Sequence, residues 1–336
     1  MDPKYFELGN IVLQSGITLQ GAVLSYQTYG TLNADRTNVI IFNTSFAAQH
    51  HEFEWLIKDG RALDPSRYFI VIPDLFGNGL STSPSNVSIP YTQGRFPVIT
   101  MYDAVMQQRR LLTEVLDIRK VQLVAGYSMG GQQALHWGAL FPNFVERVAA
   151  ICCSARTSEH NIAFLESLRA ALTADSAWRG GWFATTPVHG LRAVARAFAV
   201  WALSPAFYRE AVYRDLGFES IDDFLINVWE RSYLNRNADN LLAMMATWRH
   251  ADISENPVYQ GNLKSALAGI SAKTFLMPCM TDCYFPPEDC QIQAESMPNA
   301  EVRPISSVWG HRAGYPNLCA EDAEFINSNL LELLER

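Results

Sequence analysis

The sequence is short of cysteine, of basic runs and of long apolar stretches, and each shortage removes a class of protein. Its 336 residues include six cysteines, at Cys152, Cys153, Cys279, Cys283, Cys290 and Cys319. The start, Met1-Asp-Pro-Lys-Tyr-Phe-Glu7, has no basic segment leading into an apolar one, so these cysteines read as reduced thiols rather than a disulfide framework. No metal site is expected either. Cys279, Cys283 and Cys290 do not pair into a ligand knuckle, and no second Cys/His cluster completes four ligands. Lysine and arginine number 26 against 34 acids, for a net charge of -8, and no basic run is present, which excludes a nucleic-acid groove. Nothing approaches the apolar length that spans a bilayer, so a cytoplasmic location with no membrane partner is the expectation. Internal repeats and low-complexity segments are also lacking.

What is present is an ordinary globular composition, 49% hydrophobic and 18% charged, with ample apolar surface to bury. β-rich runs begin at Ala22, Asn38, Tyr68, Val121 and Arg147 and alternate with helical stretches, which predicts a mostly parallel sheet with helices on both faces. The runs are almost continuously apolar, as expected when both sheet faces are covered. From Ser154 to Ser271 the pattern turns helical, as in Ile162 to Leu172, Leu191 to Leu203 and Ala238 to Trp248. Strand signals return at Lys273 and Glu301, and Ala320 to Arg336 reads as an amphipathic helix. The expected organisation is a core of residues 1–153 and 272–336 with a helical cap, 154–271, inserted into it.

Gly126-Tyr-Ser-Met-Gly130 fits G-x-S-x-G and lies between a strand, Val121 to Ala125, and a helical stretch from Gly131. In that context the motif places Ser128 on a sharp turn as a nucleophile and predicts an α/β-hydrolase fold, with eight strands, mostly parallel, flanked by helices. A serine hydroxyl needs a base to take its proton. Among seven histidines, His311 follows the last strand in a glycine-bearing loop, where the chain order Ser, Asp, His requires the base. His136 lies about two helical turns beyond Ser128 and reads as a packed polar residue; His160, His189 and His250 fall in the cap. Asp282, at the end of the run from Thr274, is expected to orient His311. Its rival Glu288 reads as a first-turn acid of the following helix. The oxyanion donors are assigned to the Met129 N–H and, in the loop Asn43 to His51, to Ser45, with Phe46 the neighbouring alternative. His50 and His51 either face the same pocket or form a surface turn. The glycines after Asp74 are not followed by the G-K-[ST] of a phosphate loop.

These motifs, with Gly60-Arg-Ala-Leu-Asp-Pro-Ser-Arg-Tyr-Phe-Ile-Val-Ile-Pro-Asp74, Gly131-Gln-Gln-Ala-Leu-His-Trp137, Phe285-Pro-Pro-Glu288 and Gly310-His311, resemble the homoserine O-acetyltransferase family of α/β-hydrolases. The resemblance covers most of the chain. It implies a serine acetylated by acetyl-CoA, with Ser128, Asp282 and His311 as the triad, and it suggests Arg236 as the arginine that holds the acceptor carboxylate; a solvated helix charge is the alternative there. The chain departs from the family at Arg312, where an aspartate usually meets the acceptor ammonium, and at Tyr127, Gln132 and His136. A cation at 312 would repel that ammonium, which argues against homoserine as acceptor.

Three readings follow. The preferred one is hydrolysis of a small ester, thioester or related acyl substrate through an acyl-enzyme on Ser128, with no cofactor. The second is acyl transfer to another acceptor, with acetyl-CoA as co-substrate. The third is a non-catalytic binding protein of the same fold. Phe46, Tyr127, Arg236 and Arg312 are the candidate substrate contacts, the cap is expected to set substrate choice, and a homodimer through the cap is an assembly this layout allows.

Overall fold

In the computed structural model, which describes residues 2–336, eight strands form one sheet. They are β1 (Lys4–Val12), β2 (Thr18–Tyr29), β3 (Val39–Asn43), β4 (Phe69–Pro73), β5 (Leu123–Tyr127), β6 (Arg147–Ile151), β7 (Lys273–Met277) and β8 (Ala300–Val302). Their order across the sheet is β1-β2-β4-β3-β5-β6-β7-β8. β1 and β2 run antiparallel to their neighbours, and the other pairs are parallel. The central strands β3 and β5 are buried at every residue, because helices cover both faces and polar alternation has no solvent to meet.

The helices are α1 (Met101–Arg110), α2 (Met129–Leu140), α3 (Glu159–Thr173), α4 (Val188–Ala202), α5 (Pro205–Arg209), α6 (Ile221–Phe224), α7 (Arg231–Leu234), α8 (Ala238–Arg249), α9 (Leu263–Ala268), α10 (Pro287–Ala294) and α11 (Ala320–Glu335). A π-helical stretch, Leu225–Glu230, joins α6 to α7. Among the described residues, no helix is long and apolar enough to cross a membrane. Only the last residue of α2 escapes full burial, so Gln132, Gln133 and His136 are buried along with its apolar residues. Gln108 Nε2 donates to Gln133 Oε1 at 2.7 Å, the Trp137 indole donates to Gln108 Oε1 at 2.9 Å and Gln132 Nε2 donates to Thr157 Oγ1 at 3.2 Å, while Gln132 Oε1 has no partner among the described residues.

Two features position the site. First, β3 has β4 on one side and β5 on the other, so the winding reverses there and leaves a crevice at their carboxyl ends. Second, the segment between β6 and β7 forms α3 to α9, and those two strands are sheet neighbours. That segment leaves and returns through a closed stem: the Thr157 N–H donates to the Ala251 carbonyl at 2.8 Å and the Ile253 N–H to the Ala155 carbonyl at 3.0 Å.

The structure departs from the sequence reading at the sheet edges. β1 was not expected; it is a largely exposed strand whose register with β2 shifts between Glu7 and Gly9 and again between Gly9 and Ile11. β8 is three residues long, shorter than the run from Glu301 to Ser306. All six cysteines are free.

Candidate active site

Ser128 stands between the end of β5 and the start of α2 with φ 57° and ψ −125°, a conformation that side chains resist. The turn is tight enough to dictate its neighbours. A β-carbon on Gly126 would lie 2.3 Å from the Gly130 carbonyl, and one on Gly130 would lie 2.3 Å from the Asn43 carbonyl oxygen. Both distances are far inside contact, so the two outer positions of G-x-S-x-G admit only glycine.

Asp282 follows β7, and His311 sits in the turn Gly310–Gly314 beyond β8. All three side chains therefore converge on the carboxyl edge of the parallel strands. His311 Nε2 lies 2.9 Å from Ser128 Oγ, and His311 Nδ1 lies 2.7 Å from Asp282 Oδ2. All three residues are buried. The second Asp282 oxygen, Oδ1, accepts the N–H groups of Tyr284 at 2.7 Å and Phe285 at 3.1 Å. Tyr127, Tyr284 and Phe285 enclose the His311 ring, with centroids 4.7, 4.6 and 5.6 Å away. The Cys152 thiol is also beside Asp282 and His311, but burial holds its pKa well above the usual thiol range, so it offers no thiolate.

Met129 is the first residue of α2, and its N–H has no partner within the helix. Ser45 follows β3 across the crevice and lines the same cavity as Ser128. The loop that carries it is held at several points. Gln133 Nε2 donates to the Thr44 carbonyl at 2.9 Å, and Thr44 Oγ1 accepts the Leu75 N–H at 2.9 Å. Asp74 anchors the far end: Oδ1 accepts the His50 N–H and Asn78 Nδ2 at 2.9 Å each, while Oδ2 takes His50 Nδ1 and Ser25 Oγ at 2.8 Å each. His50 is thus a buried strut outside the cavity, and exposed His51 borders a separate polar cleft.

The Ser128 cavity measures about 290 Å³. Phe46 lies on its wall against Phe198 and Trp248, both from the helices between β6 and β7, at 5.5 and 5.9 Å. Arg236 borders the cavity, but its guanidinium is engaged: Nη2 spans both Glu52 carboxylate oxygens at 3.1 Å, and Nη1 donates to the Ala47 carbonyl. It is neither a free carboxylate receptor nor a solvated helix charge. Arg312 also borders the cavity, stacked 4.6 Å above the Tyr315 ring.

The remaining histidines stand apart. His136 is buried, with Nδ1 2.8 Å from the Gln132 carbonyl, and burial lowers its pKa. His160, His189 and His250 are exposed. Glu288 is an exposed first-turn acid of α10. Sequence reasoning did not single out Glu52, Tyr284 or the Asp74 carboxylate as contributors; the position of Tyr284 two residues after Asp282 was the available signal.

Residues 38–304 match the family described as alpha/beta hydrolase fold. An ethyl acetate hydrolase of Pseudomonas veronii is 36% identical over 334 residues, 98% of this chain and 95% of that protein. A homoserine O-acetyltransferase of Bradyrhizobium diazoefficiens is 35% identical over 323 residues, 87% of this chain and 80% of that protein. Among solved structures, that of the acetyl esterase MekB superposes with a TM-score of 0.97 at 34% identity, covering 100% of this chain and 97% of that one.

Proposed function

Because the chain belongs to the alpha/beta hydrolase fold family, among relatives that include both esterases and homoserine O-acetyltransferases, we propose that it is a serine esterase hydrolysing small acyl esters. The observation that carries this reading is the continuous hydrogen-bonded line from Ser128 Oγ through His311 to Asp282, opening on a small cavity.

The steps follow from the geometry. His311 Nε2 takes the Ser128 proton as Oγ attacks the ester carbonyl carbon. The resulting oxyanion is received by the Met129 and Ser45 N–H groups, which are already fixed in place and need no reorganisation. Asp282 holds the imidazole with its proton on Nδ1 and stabilises the imidazolium. The carbon–oxygen bond to the alcohol then breaks, and that oxygen leaves with the proton from Nε2. Water, deprotonated by the same nitrogen, attacks the acyl-enzyme and releases the acid with Ser128 restored. Side chains and water supply every proton and bond, so the reaction calls for no cofactor. The helices of residues 154–271 serve as a cap that roofs the cavity and sets which acyl and alcohol groups enter. Six free thiols support a reducing, cytoplasmic setting.

Likeness to acetyltransferases keeps a second outcome in view, transfer of the acyl group to a hydroxyl acceptor. Two observations favour water over an amino-acid acceptor: the Arg236 guanidinium is taken by Glu52, and Arg312 replaces the expected acid. The test is incubation with p-nitrophenyl acetate or acetyl-CoA, with and without homoserine and simple alcohols, following nitrophenol, free thiol and acyl products separately. Hydrolysis is expected with the ester, with little acceleration by acceptors. Release of thiol from acetyl-CoA that depends on an acceptor, with a stoichiometric O-acetyl product, would overturn the esterase reading in favour of transfer.

A further inference from the structure

Besides His311, the Ser128 cavity is bordered by three residues that carry full charges: Glu52, Arg236 and Arg312. Two of them cancel in the bidentate Arg236–Glu52 pair. Arg312 is different. Its guanidinium donates to the neutral Asn317 side chain at 3.2 Å and lies over the neutral Tyr315 ring. Asp282 is held behind the imidazole by His311 and two backbone N–H groups and forms no ion pair with Arg312. Arg312 thus borders the cavity with no carboxylate in direct contact with it among the described residues. Burial pushes the Tyr127 and Tyr233 phenols far up in pKa; at Tyr127 Arg312 pulls back against Asp282, and at Tyr233 Arg236 and then Arg312 pull back.

The geometry points to an anion subsite in the Ser128 cavity, in which Arg312 receives a carboxylate carried by the ester. This rests on the esterase reading and names its substrate class: short esters that bear a carboxylate, with apolar parts small enough for a cavity of about 290 Å³. A guanidinium meets a carboxylate through two parallel hydrogen bonds, which fixes the ester's orientation as well as its charge.

The test compares kcat/KM for two pairs of similar shape. Monoethyl succinate against ethyl pentanoate places the carboxylate on the acyl half; acetoxyacetate against propyl acetate places it on the alcohol half. In at least one pair the charged member should be preferred by about tenfold, and which pair it is identifies the half that faces Arg312. That preference should disappear in Arg312→Gln, invert in Arg312→Glu and weaken as salt is raised. Calorimetry on the Ser128→Ala protein, with Arg312 intact, should show tighter binding of the preferred charged ester than of its neutral partner. Equal rates and equal binding within both pairs, or a preference that survives in Arg312→Gln, would overturn the subsite while Ser128 still reacted with a fluorophosphonate. Failure of that labelling, with no ester of either charge hydrolysed, would instead remove the esterase reading and this inference with it.

Discussion

Replacing Ser128 with alanine is expected to lower kcat for p-nitrophenyl acetate by about 10⁶-fold and to abolish covalent labelling by a fluorophosphonate. The hydroxyl contributes the nucleophile and one 2.9 Å hydrogen bond to His311, and little packing, so the variant should fold as the parent does. Intact-mass analysis gives the answer directly. A variant that is labelled at the parent's rate would move the nucleophile to another residue.

Asp282→Asn should cost about 10⁴-fold in turnover, for a reason that can be followed atom by atom. Asp282 Oδ1 is pinned by the Tyr284 and Phe285 N–H groups. An asparagine must therefore turn its carbonyl oxygen toward those donors and its amide N–H₂ toward His311 Nδ1. The imidazole then accepts at Nδ1 and carries its proton on Nε2, where it faces Ser128 and cannot take the serine proton. Glu288→Gln, on an exposed first turn, should change turnover by less than roughly twofold. Steady-state kinetics on the two variants separates them, and the reverse order of effects would transfer the orienting role to Glu288.

The parts of the site that could be read in the sequence are those whose constraint is local. Gly126 and Gly130 bracket Ser128 because a β-carbon at either would collide with backbone a few residues or one strand away, and such a turn leaves a fixed pattern. Asp282 and His311 each follow a strand, so topology alone brought them to one edge. The parallel strands were legible for the same reason: burial on both faces writes a continuous apolar run. β1 was not, because a largely exposed edge strand with register shifts carries polar residues and Gly9 where a pattern would be sought. Long-range pairings left no local trace. His50 stays open between the pocket and a surface turn until Asp74, 24 positions away, is set against it. Arg236 stays open between a carboxylate receptor and a solvated charge until Glu52, 184 positions away, is paired with its Nη2.

The backbone of Ser128 has a thermodynamic side. At φ 57° and ψ −125° it occupies a region that glycine enters freely, and holding a side chain there costs about 1–3 kcal/mol out of a total stability of about 5–15 kcal/mol. Alanine at this position keeps the β-carbon and so keeps the cost, whereas glycine removes it, less the entropy that glycine adds to the unfolded chain. Of two equally inactive proteins, Ser128→Gly should melt roughly 2 °C above Ser128→Ala. Selection for heat resistance and selection for turnover therefore pull in opposite directions on a single residue, and a serine here is held against the fold's own preference.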